Sequence, residues 1–135
     1  MRIVLDTNCL IQCLGRYSEF RIVWDSIQKG ENTLCVSNDI IEEYSEILLR
    51  MFSEQFAERV ITALLKNPFV EFFSPHFHFN LITTDPDDNK FVDCAIQANA
   101  RYIVTNDHHF DVLRNVSFPS VDIMTLREFL SILHS

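Results

Sequence analysis

A chain of 135 residues with 47% apolar residues, 12 of its residues being phenylalanine, is expected to form one domain, residues 1–135, that buries roughly two thirds of its unfolded surface. Its net charge of −8 excludes a protein that coats nucleic acid through a basic surface alone, although bound cations would offset acids gathered at one site. The two glycines, Gly15 and Gly30, leave no room for a Gly-rich phosphate loop, and no run reaches the ~18 apolar residues of a membrane span or has the layout of a signal peptide, so a cytoplasmic protein is expected.

Ile3-Val4-Leu5 is a short continuous apolar run, which predicts a strand buried on both faces in a parallel sheet. Asp6-Thr7-Asn8 follows at its carboxyl end, and Cys9 to Leu14 begins a helix. Phe20, Val23, Trp24 and Ile27 recur at helical spacing before the stop at Gly30. Residues 33–36 predict a second strand. Ser37 or Asn38 caps a helix reaching about Phe52, and Ser53 caps another that ends before Asn67-Pro68. Residues 69–73 read as a third strand, and residues 76–82 as a loop or an edge strand. Asp85-Pro86-Asp87 is turn chemistry, Asp88 to Ala100 a helix, and residues 102–105 a fourth strand running into Asn106-Asp107. Residues 121–124 make a fifth, and Thr125 with Glu128 forms a capping box for a last helix. Strands alternating with helices predict an α/β fold with a mainly parallel sheet, whose sites form beyond the carboxyl ends of the strands. The four cysteines, Cys9, Cys13, Cys35 and Cys94, form no CxxC pair and read as buried, reduced thiols.

The carboxylates carry the chemistry. Asp6 and Asp107 each follow a strand, where a site residue and a cap or turn residue are equally expected. Among Glu42, Glu43 and Glu46, a helical wheel puts Glu43 about 100° from the centre of the apolar face and the other two about 160° away, in solvent. Asp88 leads the stripe of Phe91, Val92 and Ala95, as a buried cap or a site residue, whereas Asp93 lies about 140° from Asp88 and faces away from that stripe. Asp85 and Asp87 read as turn residues, and His108 and His109 as polar residues at a helix start. A parallel sheet lets Asp6, Glu43, Asp88 and Asp107 converge on one edge, where their mutual repulsion is relieved by a divalent cation. All-oxygen ligands suit Mg²⁺ or Mn²⁺, as one or two ions, and such a site hydrolyses phosphodiesters with water as nucleophile. A phospho-acceptor receiver domain does not fit, because the Asp expected after the third strand and the Lys expected after the fifth are missing.

MRIVLDTNCLI, SNDIIEEYSEIL, DPDDNKFVDCA and YIVTNDHHF, in this order, resemble the PIN domain family, in particular its bacterial toxin-like branch. The resemblance covers nearly the whole chain and implies a three-layer α/β/α sandwich with a sheet of about five parallel strands. It implies a metal-dependent endoribonuclease, often dimeric and restrained by a cognate antitoxin. Asp6, Glu43, Asp88 and Asp107 match the family's four acids, Thr7, Asn8, Thr105 and Asn106 stand in supporting positions, and Asp93 matches a further acid common in the branch. The alternative function within the same fold is a binding or regulatory module with little intrinsic cleavage.

Overall fold

In the computed structural model, which describes residues 1–135, Ile3, Val4 and Leu5 are fully buried in β1 (Arg2–Leu5), the central strand of a sheet. β2 (Thr33–Val36) and then β3 (Glu71–Phe72) lie on one side, and β4 (Tyr102–Val104) and β5 (Ile123–Met124) on the other. Every neighbouring pair is parallel. The connections run through α1 (Thr7–Leu14), α2 (Arg21–Gln28), α3 (Asn38–Met51), α4 (Glu54–Lys66) and α5 (Asn89–Ala98), and α6 (Leu126–His134) closes the chain. Helices flank the sheet as the predicted three-layer α/β/α sandwich requires. The chain builds outward from β1 to β3 and then returns to place β4 on the opposite side of β1. The strand order therefore reverses between β1 and β4, and a site is expected beyond their carboxyl ends.

Several boundaries differ from the sequence expectation, each for a local reason. α1 starts at Thr7, not Cys9, because Asp6 caps it by accepting from the Thr7 amide. The third strand shrinks from residues 69–73 to Glu71–Phe72, since an edge strand has one neighbour only and its Phe69 and Phe72 are about half exposed. The fifth shrinks likewise to Ile123–Met124. The fifth helix begins one residue later, after a 3-10 turn over Pro86–Asp88, and ends at Ala98 because Asn99 adopts the left-handed conformation. A 3-10 helix over His108–Asn115 occupies the stretch after β4.

Residues 76–82 form no strand. Side chains of α5 hold this segment instead: the Asn89 amide accepts from Ile82 N–H at 2.9 Å and donates to Ile82 C=O at 2.8 Å. The buried Tyr44 hydroxyl donates to the Leu5 carbonyl at 2.6 Å, tying α3 to the last residue of β1. All four cysteines are free and buried, and burial pushes the thiols of Cys9, Cys13 and Cys94 up to about 12 and that of Cys35 to about 11. No helix is long and apolar enough to cross a membrane.

Candidate metal centre

The reversal in strand order brings Asp6 and Asp107 to the same edge, and Thr105 joins them. The buried Thr105 hydroxyl donates to Asp6 Oδ2 at 2.8 Å and accepts from the Asp107 amide at 3.0 Å. The other Asp6 oxygen accepts from Thr7 N–H at 2.8 Å. Asp107 caps the following 3-10 helix, its Oδ1 accepting from His109 N–H at 2.9 Å. Both acids thus serve as caps as well as lining the edge. Burial raises the Asp6 pKa, the hydrogen bonds from Thr105 and Thr7 oppose the rise, and the charges of Glu43 and Asp107 add to it.

Glu43 reaches this edge from α3. It is the partly buried one of the three glutamates, while Glu42 and Glu46 are exposed and Glu46 pairs with Arg50 in solvent. Its neighbour Tyr44 anchors the helix to β1, which fixes where Glu43 emerges. One Glu43 oxygen accepts from the Thr7 hydroxyl, and the other lies 2.8 Å from Lys90 Nζ. Burial opposes charge on Lys90, but Glu43, with help from Asp87 and Asp39, outweighs it and raises the Lys90 pKa.

Asp88 comes from the 3-10 turn ahead of α5. It is 9% exposed, and its Oδ2 is buried without a hydrogen-bond partner. Burial, then the charges of Asp85, Asp6 and Asp107, push its pKa up to about 7, against the opposing pull of His109. The charge of Asp6 is thus felt at Asp88, as are those of Glu43 and Asp107 at Asp6. Asp85, Asp88 and His109 place one ligand atom each within 4.8 Å of one another, a spacing that one cation spans. The donor set is anionic, buried on one side and short of one partner, which fits a divalent ion.

The roles of two members of that group were not legible as single residues. Asp85 is a turn residue as expected, but a 3-10 turn has three residues per turn, so positions i and i+3 eclipse and Asp85 comes up beside Asp88. The DPDD string with Pro86 at the start of the turn is the signal that would have found it. His109 opens a helix as expected, yet its Nδ1 lies 3.4 Å from Asp107 Oδ1 and 3.6 Å from Asp88 Oδ2. An imidazole nitrogen thus stands beside the carboxylate oxygens of Asp88 and Asp107.

Other residues lie apart. Asp93, expected to face away from the Phe91–Val92–Ala95 stripe, is closed off from solvent: it is 5% exposed, with residues 78–79 against it. Its Oδ1 accepts from Phe79 N–H at 3.1 Å, and its Oδ2 lies 3.3 Å from His78 Nδ1. It lines, with Asp87, Lys90 and His78, a polar groove of about 290 Å³ that includes neither Asp6 nor Asp107. Asn8 is exposed, outside the hydrogen bonds that link the acids. Asn106 accepts from Leu126 N–H at 3.1 Å and so fastens α6 to the end of β4.

Residues 2–109 match the family model described as PIN domain. No curated protein sequence matches the chain. Among solved structures, VapBC2 from Rickettsia felis, bound to a DNA fragment from its promoter, is similar with 17% sequence identity and a TM-score of 0.65, covering 93% of this chain and 98% of that one. VapBC-1 from nontypeable Haemophilus influenzae is similar with 15% identity and a TM-score of 0.64, covering 94% and 99% respectively. At these identities the two likenesses bear on the fold.

Proposed function

The chain belongs to the PIN domain family, and from that membership we propose that it is a metal-dependent endoribonuclease, the toxin component of a toxin–antitoxin pair. One observation carries the metal part of this reading: a buried Asp88 oxygen lacks any partner in a place where the charges of Asp85, Asp6 and Asp107 also fall. Such a group is costly unless a cation completes it.

In this reading Asp6, Glu43, Asp88 and Asp107 hold one or two Mg²⁺ or Mn²⁺ ions. When bound, the cation supplies neutralisation of charge at the scissile phosphate and lowers the pKa of the attacking water. Thr105 ties the Asp6 carboxylate to the backbone amide of Asp107 through its two hydrogen bonds. Thr7 and Lys90 hold both Glu43 oxygens, so that this acid meets its ligand with little ordering left to do. No Ser or Cys nucleophile is required, which agrees with thiols held protonated by burial. Arg114, lining a cavity of about 160 Å³ with Asp107 and His108, is placed to meet a backbone phosphate of the RNA.

The toxin role is carried over from the family branch that the motifs resemble, with support from the likeness to VapBC structures. Leu49, Met51, Phe52 and Leu65, exposed on and just after α3 and on α4, offer apolar surface to an antitoxin or to a second copy of the chain. The test is cleavage of an RNA panel by purified protein with Mn²⁺ or Mg²⁺. Cleavage is expected to stop with EDTA and in a folded Asp6→Asn variant. Full cleavage under either condition contradicts the reading, and absence of both cleavage and metal binding favours the binding module.

A further inference from the structure

The group formed by Asp85, Asp88 and His109 differs from an all-carboxylate site in one respect, and that respect concerns which ion it selects. We propose that His109 Nδ1 is a direct ligand to the cation, beside Asp85 and Asp88, and that it biases the centre toward Mn²⁺ over Mg²⁺. The inference rests on the reading that the acids hold a metal, and it adds two ligands, Asp85 and His109, and a selectivity to that reading.

Two independent observations support it. The first is spacing. His109 Nδ1 lies 3.6 Å from Asp88 Oδ2 and 4.0 Å from Asp85 Oδ2, and the three ligand atoms all fall within 4.8 Å of one another. Ligands at ~2.1 Å from an octahedral ion stand ~3.0 Å apart when adjacent and ~4.2 Å apart when opposite, so these separations need only small adjustment. The second is the unpartnered Asp88 Oδ2, on a residue that is 9% exposed, which faces the imidazole. A buried carboxylate oxygen without a donor is a vacancy in the hydrogen-bond inventory that a cation would satisfy.

The backbone prepares the imidazole for this work. Asp107 caps the 3-10 helix through His109 N–H, which sets the ring at the mouth of the group with its side chain 47% exposed. Ligation through Nδ1 needs the ring neutral with its proton on Nε2, and half exposure leaves Nε2 free to meet water. Mg²⁺ demands oxygen donors and retains several waters, whereas an imidazole nitrogen suits first-row transition ions.

A rival role for His109 is that of an imidazolium that merely neutralises Asp85, Asp88 and Asp107. The two roles predict opposite signs. If the ring is a ligand, His109→Ala weakens Mn²⁺ binding at least about tenfold, the loss that removing even an outer partner of a ligand brings, and changes Mg²⁺ binding far less. If the ring is a competing cation, its removal tightens binding of both ions. Calorimetric titration of wild type and His109→Ala with MnCl₂ and MgCl₂ reads the difference. Pulsed electron paramagnetic resonance of Mn²⁺ bound to the wild type reads ligation directly, as coupling to an imidazole ¹⁴N that the variant lacks. Equal or tighter Mn²⁺ binding in the variant overturns the proposal. So does bound Mn²⁺ without nitrogen coupling in the wild type, which leaves the carboxylate site itself standing. Absence of any Mn²⁺ binding in the wild type overturns both.

Discussion

Asp88 and Asp93 stand little more than one helical turn apart, at the start of α5 and within it, and both are closed off from solvent, at 9% and 5% exposure. Their surroundings treat the same side chain in opposite ways. Asp93 is met by a backbone N–H and an imidazole from residues 78–79, one for each oxygen. Asp88 is met chiefly by other acids, and its Oδ2 makes no hydrogen bond, the His109 imidazole standing 3.6 Å away. Burial is therefore no guide to role: satisfaction is. A buried carboxylate with its bonds made holds two pieces of chain together, whereas one left open among like charges costs stability until a cation arrives.

The largest effect expected from breaking this contrast falls on activity. Asp88→Asn should lower metal-dependent RNA cleavage by on the order of 10²–10³-fold, while the metal-free protein keeps or raises its melting temperature, because an unpaired buried charge has been removed. Next in size, Asp93→Ala should cost about 2 kcal/mol of folding stability by denaturant titration, through the loss of its charge-assisted hydrogen bonds, with Mn²⁺ affinity retained.

The contrast also has a pH signature. The Asp88 pKa is about 7 in the folded protein against 3.8 for the free side chain, so between these values the folded state holds a proton that the unfolded state releases. The Asp88 contribution to metal-free stability therefore falls as pH rises through that window and levels off above it, and the raised Asp6 acts in the same direction. Bound metal removes the penalty, so the rise in melting temperature on adding Mn²⁺ should be larger at about pH 8 than at about pH 5.5. The smallest effect is expected from Thr105→Val. It removes the hydroxyl shared by Asp6 and Asp107, costs about 1 kcal/mol, and weakens Mn²⁺ binding modestly in titration.

What could be read before the fold was in hand follows from locality. The apolar runs in β1, β2 and β4 announce strands buried on both faces, and the rule that sites lie beyond strand ends points to Asp6 and Asp107. Helical phase separates Glu43 from Glu42 and Glu46, because that question depends on α3 alone. The same wheel places Asp93 away from its helix's core stripe but says nothing of residues 78–79 crossing over it, a contact set by tertiary packing. Asp85 and His109 escape for a related reason. One is brought to Asp88 by a 3-10 turn, whose period differs from that of the helix it precedes, and the other arrives from beyond β4. The edge strands β3 and β5 come out short because their ends lack partners that a pattern of apolar residues cannot reveal.

The assignment of the divalent cation to Asp88 and not to Asp93 is open to equilibrium Mn²⁺ titration of the two asparagine variants beside the wild type. Asp88→Asn is expected to lose most of the Mn²⁺ affinity, while Asp93→Asn is expected to bind as the wild type does. Undiminished binding in Asp88→Asn, with affinity lost in Asp93→Asn, would contradict that assignment.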